Sequence, residues 1–213
     1  MFGRTLLALS ACAATAAAQV PGAPVLQNAF ANPGLAVAAN FGGGGGQSFY
    51  GLAAAMGMSG GKLQISGGAG VNRGNNTTRG AYGARVSSAL WSTSGGSIGV
   101  GAFAGVGGAP RTRTNNVVSN PAVLNVPLGA TIGYRRAFGT RGVSGYASPF
   151  YRWSRVDNGA VASSGSMRVS LGTDVGVTQS IGVTVGGELG GKTTSGGGSS
   201  LFGFAVSFVP GRR

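Results

Sequence analysis

From Gly34 onward the chain alternates with a period of two, the repeat of a β-strand rather than of a helix. Large apolar residues take one side, and glycine, serine, alanine or arginine the other. Leu35, Val37, Ala39 and Phe41 alternate with Ala36, Ala38 and Asn40. Tyr50, Leu52, Ala54, Met56 and Met58 alternate with small residues, and so do Leu63, Ile65, Ala69 and Val71. Tyr82, Ala84, Val86 and Leu90 face away from Arg79, Gly83, Arg85 and Ser87, and Ile98 to Val106 repeats the scheme with Phe103 on the small side. In the second half Leu124 to Tyr134 alternates with Asn125, Gly129, Thr131, Gly133 and Arg135. Tyr151 and Trp153 oppose Ser148 and Arg152, and Met167, Val169, Leu171 and Val175 oppose Arg168, Ser170, Gly172 and Asp174. Ile181, Val183, Val185 and Leu189 oppose Thr184, Gly186 and Glu188; Phe202, Phe204, Val206 and Phe208 oppose Gly203, Ala205 and Ser207. These are ten expected strands of about ten residues, each spanning roughly 25 Å at a tilt near 40°, the height of a bilayer's apolar band.

The connections alternate in length. Short turns are expected at Ser59–Gly61, Ser92–Gly96, Phe138–Gly142 and Thr178–Ser180. Longer loops are expected at Gly42–Ser48, Asn72–Thr78, Gly107–Pro121, Val156–Ser164 and Gly190–Ser200. That asymmetry fits short periplasmic turns and long external loops, with both ends of the strand set on the periplasmic side.

Composition decides which way the two faces point. The chain has 44 glycines but only 9% charged residues. A soluble sandwich would carry Lys and Glu on its outer strand face, partly to protect its edges. Here the non-apolar face is mostly glycine and serine, which suits the crowded inside of a narrow barrel. The expected fold is therefore all-β: a closed antiparallel transmembrane β-barrel of ten strands, with eight as the alternative. Phe41, Tyr50, Tyr134, Tyr151, Trp153 and Phe208 form its expected aromatic girdle. Pro127 and Pro149 fall within strands, so each is expected to mark a bulge or a loop-proximal position.

The first residues read as an export signal: Arg4, the apolar run Leu6–Ala14 and the cleavage pattern Ala16-Ala17-Ala18. Leu9-Ser10-Ala11-Cys12 offers the alternative of a lipidated Cys12. The expected organisation is a signal peptide over 1–18, an irregular periplasmic lead segment over 19–33, a transmembrane barrel over 34–208 and a short tail over 209–213.

The signal peptide, the Val126-Pro127-Leu128-Gly129 stretch followed by Ile132-Gly133-Tyr134-Arg135, and the closing Phe202-x-Phe204-x-Val206-x-Phe208 strand carry a likeness. The chain resembles the small bacterial outer-membrane β-barrel family, the group of OmpA-like and OmpX-like barrel domains. The resemblance implies an outer-membrane location in a Gram-negative envelope. It also implies recognition of the last strand by the barrel-assembly machinery, although Val209–Arg213 extend beyond the aromatic residue on which family members usually end.

Several apparent motifs carry no chemistry. Gly186–Thr193 formally matches a phosphate-binding loop, but the glycine-serine stretch after it cannot form the helix whose amides would hold phosphate. Gly95-Gly96-Ser97-Ile98-Gly99 matches a nucleophile elbow, but no histidine exists to act as base. With three acidic residues, a metal or carboxylate-pair site is not expected. The chain reads as neither an enzyme nor a nucleotide- or nucleic-acid-binding protein, and no cofactor is implied.

Charge shapes the functional expectation. The chain has 16 basic and 3 acidic residues. Arg79, Arg85, Arg135, Arg152 and Arg168 fall on the inward face with Asp174 and Glu188, and line the expected lumen. Arg73, Arg111, Arg113, Arg155 and Lys192 fall near the external end, where lipopolysaccharide phosphates lie and Arg can bind them in bidentate fashion. Spacing places Glu188 between Arg168 and Arg152, and Asp174 near Arg135 or Tyr146. The first expectation is a passive narrow porin-like channel with a basic lumen. The alternative is a non-conducting structural or surface-interaction barrel that contacts lipopolysaccharide. Small walls favour an open bore, while the arginines and residues 19–33 could close it.

Overall fold

The computed structural model describes residues 23–30, 33–74, 77–114, 117–138, 141–191 and 200–210. Its strands are β1 (Gly34–Gly44), β2 (Gln47–Met58), β3 (Leu63–Gly74), β4 (Thr77–Ser92), β5 (Ile98–Ala109), β6 (Thr112–Thr114), β7 (Val117–Asn120), β8 (Ala122–Phe138), β9 (Arg141–Asp157), β10 (Val161–Gly176), β11 (Ile181–Gly190) and β12 (Ser200–Phe208). Ten of them form one closed antiparallel barrel, and β6 and β7 form a separate hairpin within the connection from β5 to β8. The barrel closes where β1 meets β12, with Val37 opposite Phe208 and Phe41 opposite Phe204. The ten-stranded expectation is met, and the eight-stranded alternative is excluded.

The two faces are sorted by the strand period. Leu52, Met167 and Leu128 are 71%, 66% and 62% exposed on the outside. Ser148, Ser154, Ser170, Asp174 and Glu188 are fully buried inside. This inverts a water-soluble barrel, which hides its apolar face. Most exposed aromatics divide between the two halves of their strands, while Phe204 sits at the middle of β12. Phe41, Tyr50, Tyr82, Tyr151 and Phe202 lie in the halves of their strands nearer the long connections, and Trp91, Tyr134, Phe138 and Phe208 in the halves nearer the short turns. Trp153 also lies toward the long connections, but is only partly exposed. Phe41 packs edge-on against Tyr50 at 6.1 Å between ring centroids.

Three local expectations need correction. The first is the loop at Gly42–Ser48, which is a two-residue turn. Gly42, Gly43 and Gly44 continue the ladder opposite Phe49, Ser48 and Gln47. Only Gly45 and Gly46 lie between the strands, with φ of 59° and 79°, the left-handed pair that a tight hairpin requires and glycine adopts readily. Backbone pairing needs no side chain, so a glycine run that reads as loop extends a strand once its neighbour is in place. The loops at Asn72–Thr78 and Val156–Ser164 shorten similarly, since Gly74 pairs Thr77 and Val161 pairs Asp157.

The second correction concerns the prolines. Neither marks a bulge. The β5–β8 ladder keeps one register but is interrupted beside Pro127, between the pairs Ala104–Leu128 and Gly107–Asn125. The β8–β9 ladder is likewise interrupted beside Pro149, between Gly129–Phe150 and Ile132–Ala147. A missing N–H is absorbed as a local gap in pairing. The one register shift in the barrel ladders lies instead in β4, between Ala89 and Trp91. It lets the neighbours Leu90 and Trp91 both face outward, which is why strict alternation misses Trp91 as a girdle residue.

The third correction concerns the segment 19–33. Its described residues are irregular, as expected, but Ala23–Phe30 lie inside the barrel rather than on the periplasmic side. Ala23, Val25, Leu26, Gln27, Asn28 and Ala29 are all buried.

Candidate functional site: the occupied lumen

Strand alternation aims one arginine from β9, one from β10 and one glutamate from β11 into the same part of the lumen. Arg152 donates to Glu188 at 2.7 Å, and the Arg168 Nε donates to the same carboxylate. The Glu188 Oε2 also accepts from the Val25 backbone N–H at 2.9 Å. Glu188 thus joins three strands and the N-terminal segment, in the position between the two arginines that strand spacing predicts. Arg168 additionally donates to the Gly191 carbonyl.

Further along the lumen the segment is held residue by residue. The Leu26 carbonyl accepts from Arg85 at 3.3 Å. The Gln27 carbonyl accepts from Ser148 at 2.7 Å and Thr131 at 3.0 Å. Asn28 donates to Ser144 at 2.7 Å and to Asp174. Phe30 lies under the Arg135 guanidinium, 4.3 Å from the ring centroid, while Arg135 Nε donates to the Gly96 carbonyl at 2.7 Å. Asp174 lies diagonal to Tyr146 across the β9–β10 pairing, near it as expected, but its hydrogen bonds come from elsewhere. Besides Asn28 it accepts from Thr184 at 2.5 Å and Ser144 at 3.4 Å. Neutral donors placed by β9 and β11 satisfy this carboxylate, and Arg135 turns toward the β4–β5 turn instead.

Apolar contacts complete the seat. Val25 packs with Phe103 and Phe150, Leu26 with Tyr146, and Ala23 in a group that includes Ala38 and Phe49. Inward glycines make the room. A Cβ added at Gly203 would come within 2.5 Å of Pro24, at Gly186 within 2.7 Å of Leu26, and at Gly99 within 2.6 Å of Phe30. The segment runs from the long-connection end, where Pro24 adjoins Gly42 and Gly203, to the turn end, where Phe30 adjoins Gly99 and Gly133.

All seven expected lumen residues face inward. Arg85, Arg152, Arg168, Asp174 and Glu188 are buried, and Arg135 and Arg79 are partly so. Arg79 donates to the Pro121 carbonyl at 2.9 Å, below the β6–β7 hairpin. Of the residues expected to meet lipopolysaccharide, Arg73 and Arg155 point outward and are exposed. Arg111 pairs with Asp157, which shifts it toward holding the hairpin connection. Arg113 lies on β6, its side chain outside the described residues, as is all of Lys192. Of the inward aromatics, spacing points to Tyr146 beside Asp174, but not to Phe49 or Phe150. Their signal was a large ring at an even step among glycines and serines.

No family model and no curated protein matches the chain. Among solved structures it is similar to the crystal structure of the outer membrane protein Omp33 of Acinetobacter baumannii, at 11% identity and a TM-score of 0.37, over 83% of this chain and 97% of that one.

Glu188→Ala should leave two guanidinium groups buried without their anion. The expected cost is about 3–5 kcal/mol, read as a lower urea midpoint for loss of the folded barrel in detergent. A midpoint unchanged from the parent would show that the three-donor site is not a fastening.

Proposed function

We propose that this chain is an outer-membrane β-barrel that is closed at rest by its own N-terminal segment and acts at the cell surface as a structural or interaction barrel. The observation that carries the reading is the inverted wall with a filled lumen: exposed leucine, valine and aromatic residues outside, and Ala23–Phe30 hydrogen-bonded within. Water would penalise such a wall over its whole circumference, whereas lipid matches it. The antiparallel closure leaves no unpaired edge strand, the condition for β-structure to cross a hydrocarbon layer. The closing β12 motif supports the narrower likeness to OmpA-like and OmpX-like barrels, while the ten strands are two more than those barrels carry.

In this reading the connections at 59–62, 93–97, 139–140 and 177–180 and the free ends of β1 and β12 face the periplasm, and the end that carries the β6–β7 hairpin and the 191–199 connection faces outward. Arg73 and Arg155, exposed on the outer face near that end, contact lipopolysaccharide phosphates. The assembly machinery reads β12. The reading is non-catalytic and needs no cofactor. The narrow porin-like channel with a basic lumen is a second reading, favoured by the inward arginines, and it requires the N-terminal segment to leave.

Cysteine at Asn158 should react with an impermeant maleimide on intact cells, and cysteines at Ser94 and Gly60 only after the outer membrane is opened. Labelling of Ser94 on intact cells would reverse the orientation. The purified protein should be heat-modifiable on gels and should require detergent; a stable monomer in plain buffer would remove the membrane reading. Replacing Arg73 and Arg155 with Glu should weaken lipopolysaccharide binding about fivefold per arginine, measured by retention on immobilised lipopolysaccharide. Unchanged retention would assign those residues to solubility alone.

A further inference from the structure

The lumen is filled, but not in the manner of a permanent core. The N-terminal segment is bound by hydrogen bonds and ring contacts along its length, and three residues separate Phe30 from the start of β1. Its seat includes glycines at Gly42, Gly99, Gly133, Gly186 and Gly203 beside the rings of Phe103, Tyr146 and Phe150. At the glycine positions no wall side chain follows the segment into the space it leaves.

The contact is also incompletely satisfied. The Gln27 carboxamide oxygen, Arg85 NH1, Tyr146 hydroxyl and Arg152 Nε are buried with no hydrogen-bond partner. All four belong to the segment or to wall residues around it. A buried polar group without a partner forfeits its hydration. Withdrawal of the segment would readmit water to each of these groups, offsetting part of the contact that is lost. The two arrangements are thereby brought closer in free energy than the burial alone suggests.

We infer that Ala23–Phe30 is a reversible gate, and that the path it vacates conducts small anions. This rests on the membrane-barrel reading above. The exposed path would carry Arg79, Arg85, Arg135, Arg152 and Arg168 against Asp174 and Glu188. Glu188 is already neutralised by two of those arginines. Arg85 would lose the Leu26 carbonyl and turn to whatever anion enters, while Arg135 would lose the Phe30 ring and present its charge to the path from its bond to the Gly96 carbonyl. A ring of guanidinium groups in a narrow bore favours anions by charge and by its hydrogen-bond donors. Chloride and small carboxylates or phosphates fit a path the width of one polypeptide strand.

A disulfide lock tests this. A Cβ built at Gly133 lies 3.2 Å from that of Ala29, near the roughly 3.5–4.5 Å a disulfide spans. Full-length protein carrying Ala29→Cys and Gly133→Cys, with Cys12→Ser, is purified from membranes and studied in planar bilayers across a KCl gradient. Reduced, it should open intermittently with a reversal potential toward that of chloride. Oxidised, openings should become at least about tenfold rarer and should return on reduction. Gly99→Val with Gly203→Val, which crowds both ends of the segment, should raise the open fraction. Equal activity in the oxidised and reduced states would overturn the gate, and a cation-directed reversal potential would overturn the substrate class. Silence in every variant, with heat-modifiable protein and a formed disulfide, would overturn the conduit while leaving a closed barrel. Thiols that never pair would instead remove the occupied lumen on which the proposal rests.

Discussion

A carboxylate buried in the lumen of a narrow barrel survives only if donors replace its water, and Glu188 has three. Two are guanidinium groups on the neighbouring β9 and β10, and the third is the Val25 amide. The mutual repulsion of Arg152 and Arg168 is cancelled by the same anion that they desolvate. Without it neither arginine would be tolerable inside. This one group therefore fixes how β9, β10 and β11 face each other and where the N-terminal segment begins its course through the lumen. The remaining contacts of that segment follow from its being pinned there: Gln27 reaches β8 and β9, Asn28 reaches Asp174, and Phe30 reaches Arg135.

The wall composition follows from the same constraint. A ten-stranded barrel that holds a chain segment has little room left for side chains, so inward positions along the segment become glycine, serine or threonine. Large residues are pushed outward, where they form an apolar surface fit for lipid. Where the segment is apolar, at Val25 and Leu26, the wall answers with Phe103, Phe150 and Tyr146. Where it presents carbonyls, the wall answers with Ser148 and Thr131. Lumen contents and outer surface are thus two results of one alternation.

Much of this was legible in the residues. Alternation alone assigns Leu128 outward and Thr131 inward, and counting from the turn at 178–180 brings Glu188 level with Ser170, one inward step from Arg168. What escaped had physical causes. A glycine run has no strand signature, so the pairing of Gly42–Gly44 was invisible until β2 was beside it. The extra residue in β4 turned Trp91 outward, where an unbroken period would have placed it inward. The course of Ala23–Phe30 was the least legible, because an irregular segment has no period and only the assembled barrel shows the glycine track it fills. The hydrogen-bond partner of Asp174 escaped for a related reason: Asn28 belongs to that segment rather than to a strand.

The closed state of the barrel depends on the segment occupying the lumen. Nuclear Overhauser contacts measured on methyl-labelled protein in detergent micelles address this directly. Leu26 Cδ1 and Cδ2 lie against Gly203 and Gly186. Cross-peaks from the Leu26 methyl groups to the α-protons of both glycines are predicted. Leu26 methyl signals that show contacts only to water, in a barrel whose strand pairing is otherwise intact, would contradict it.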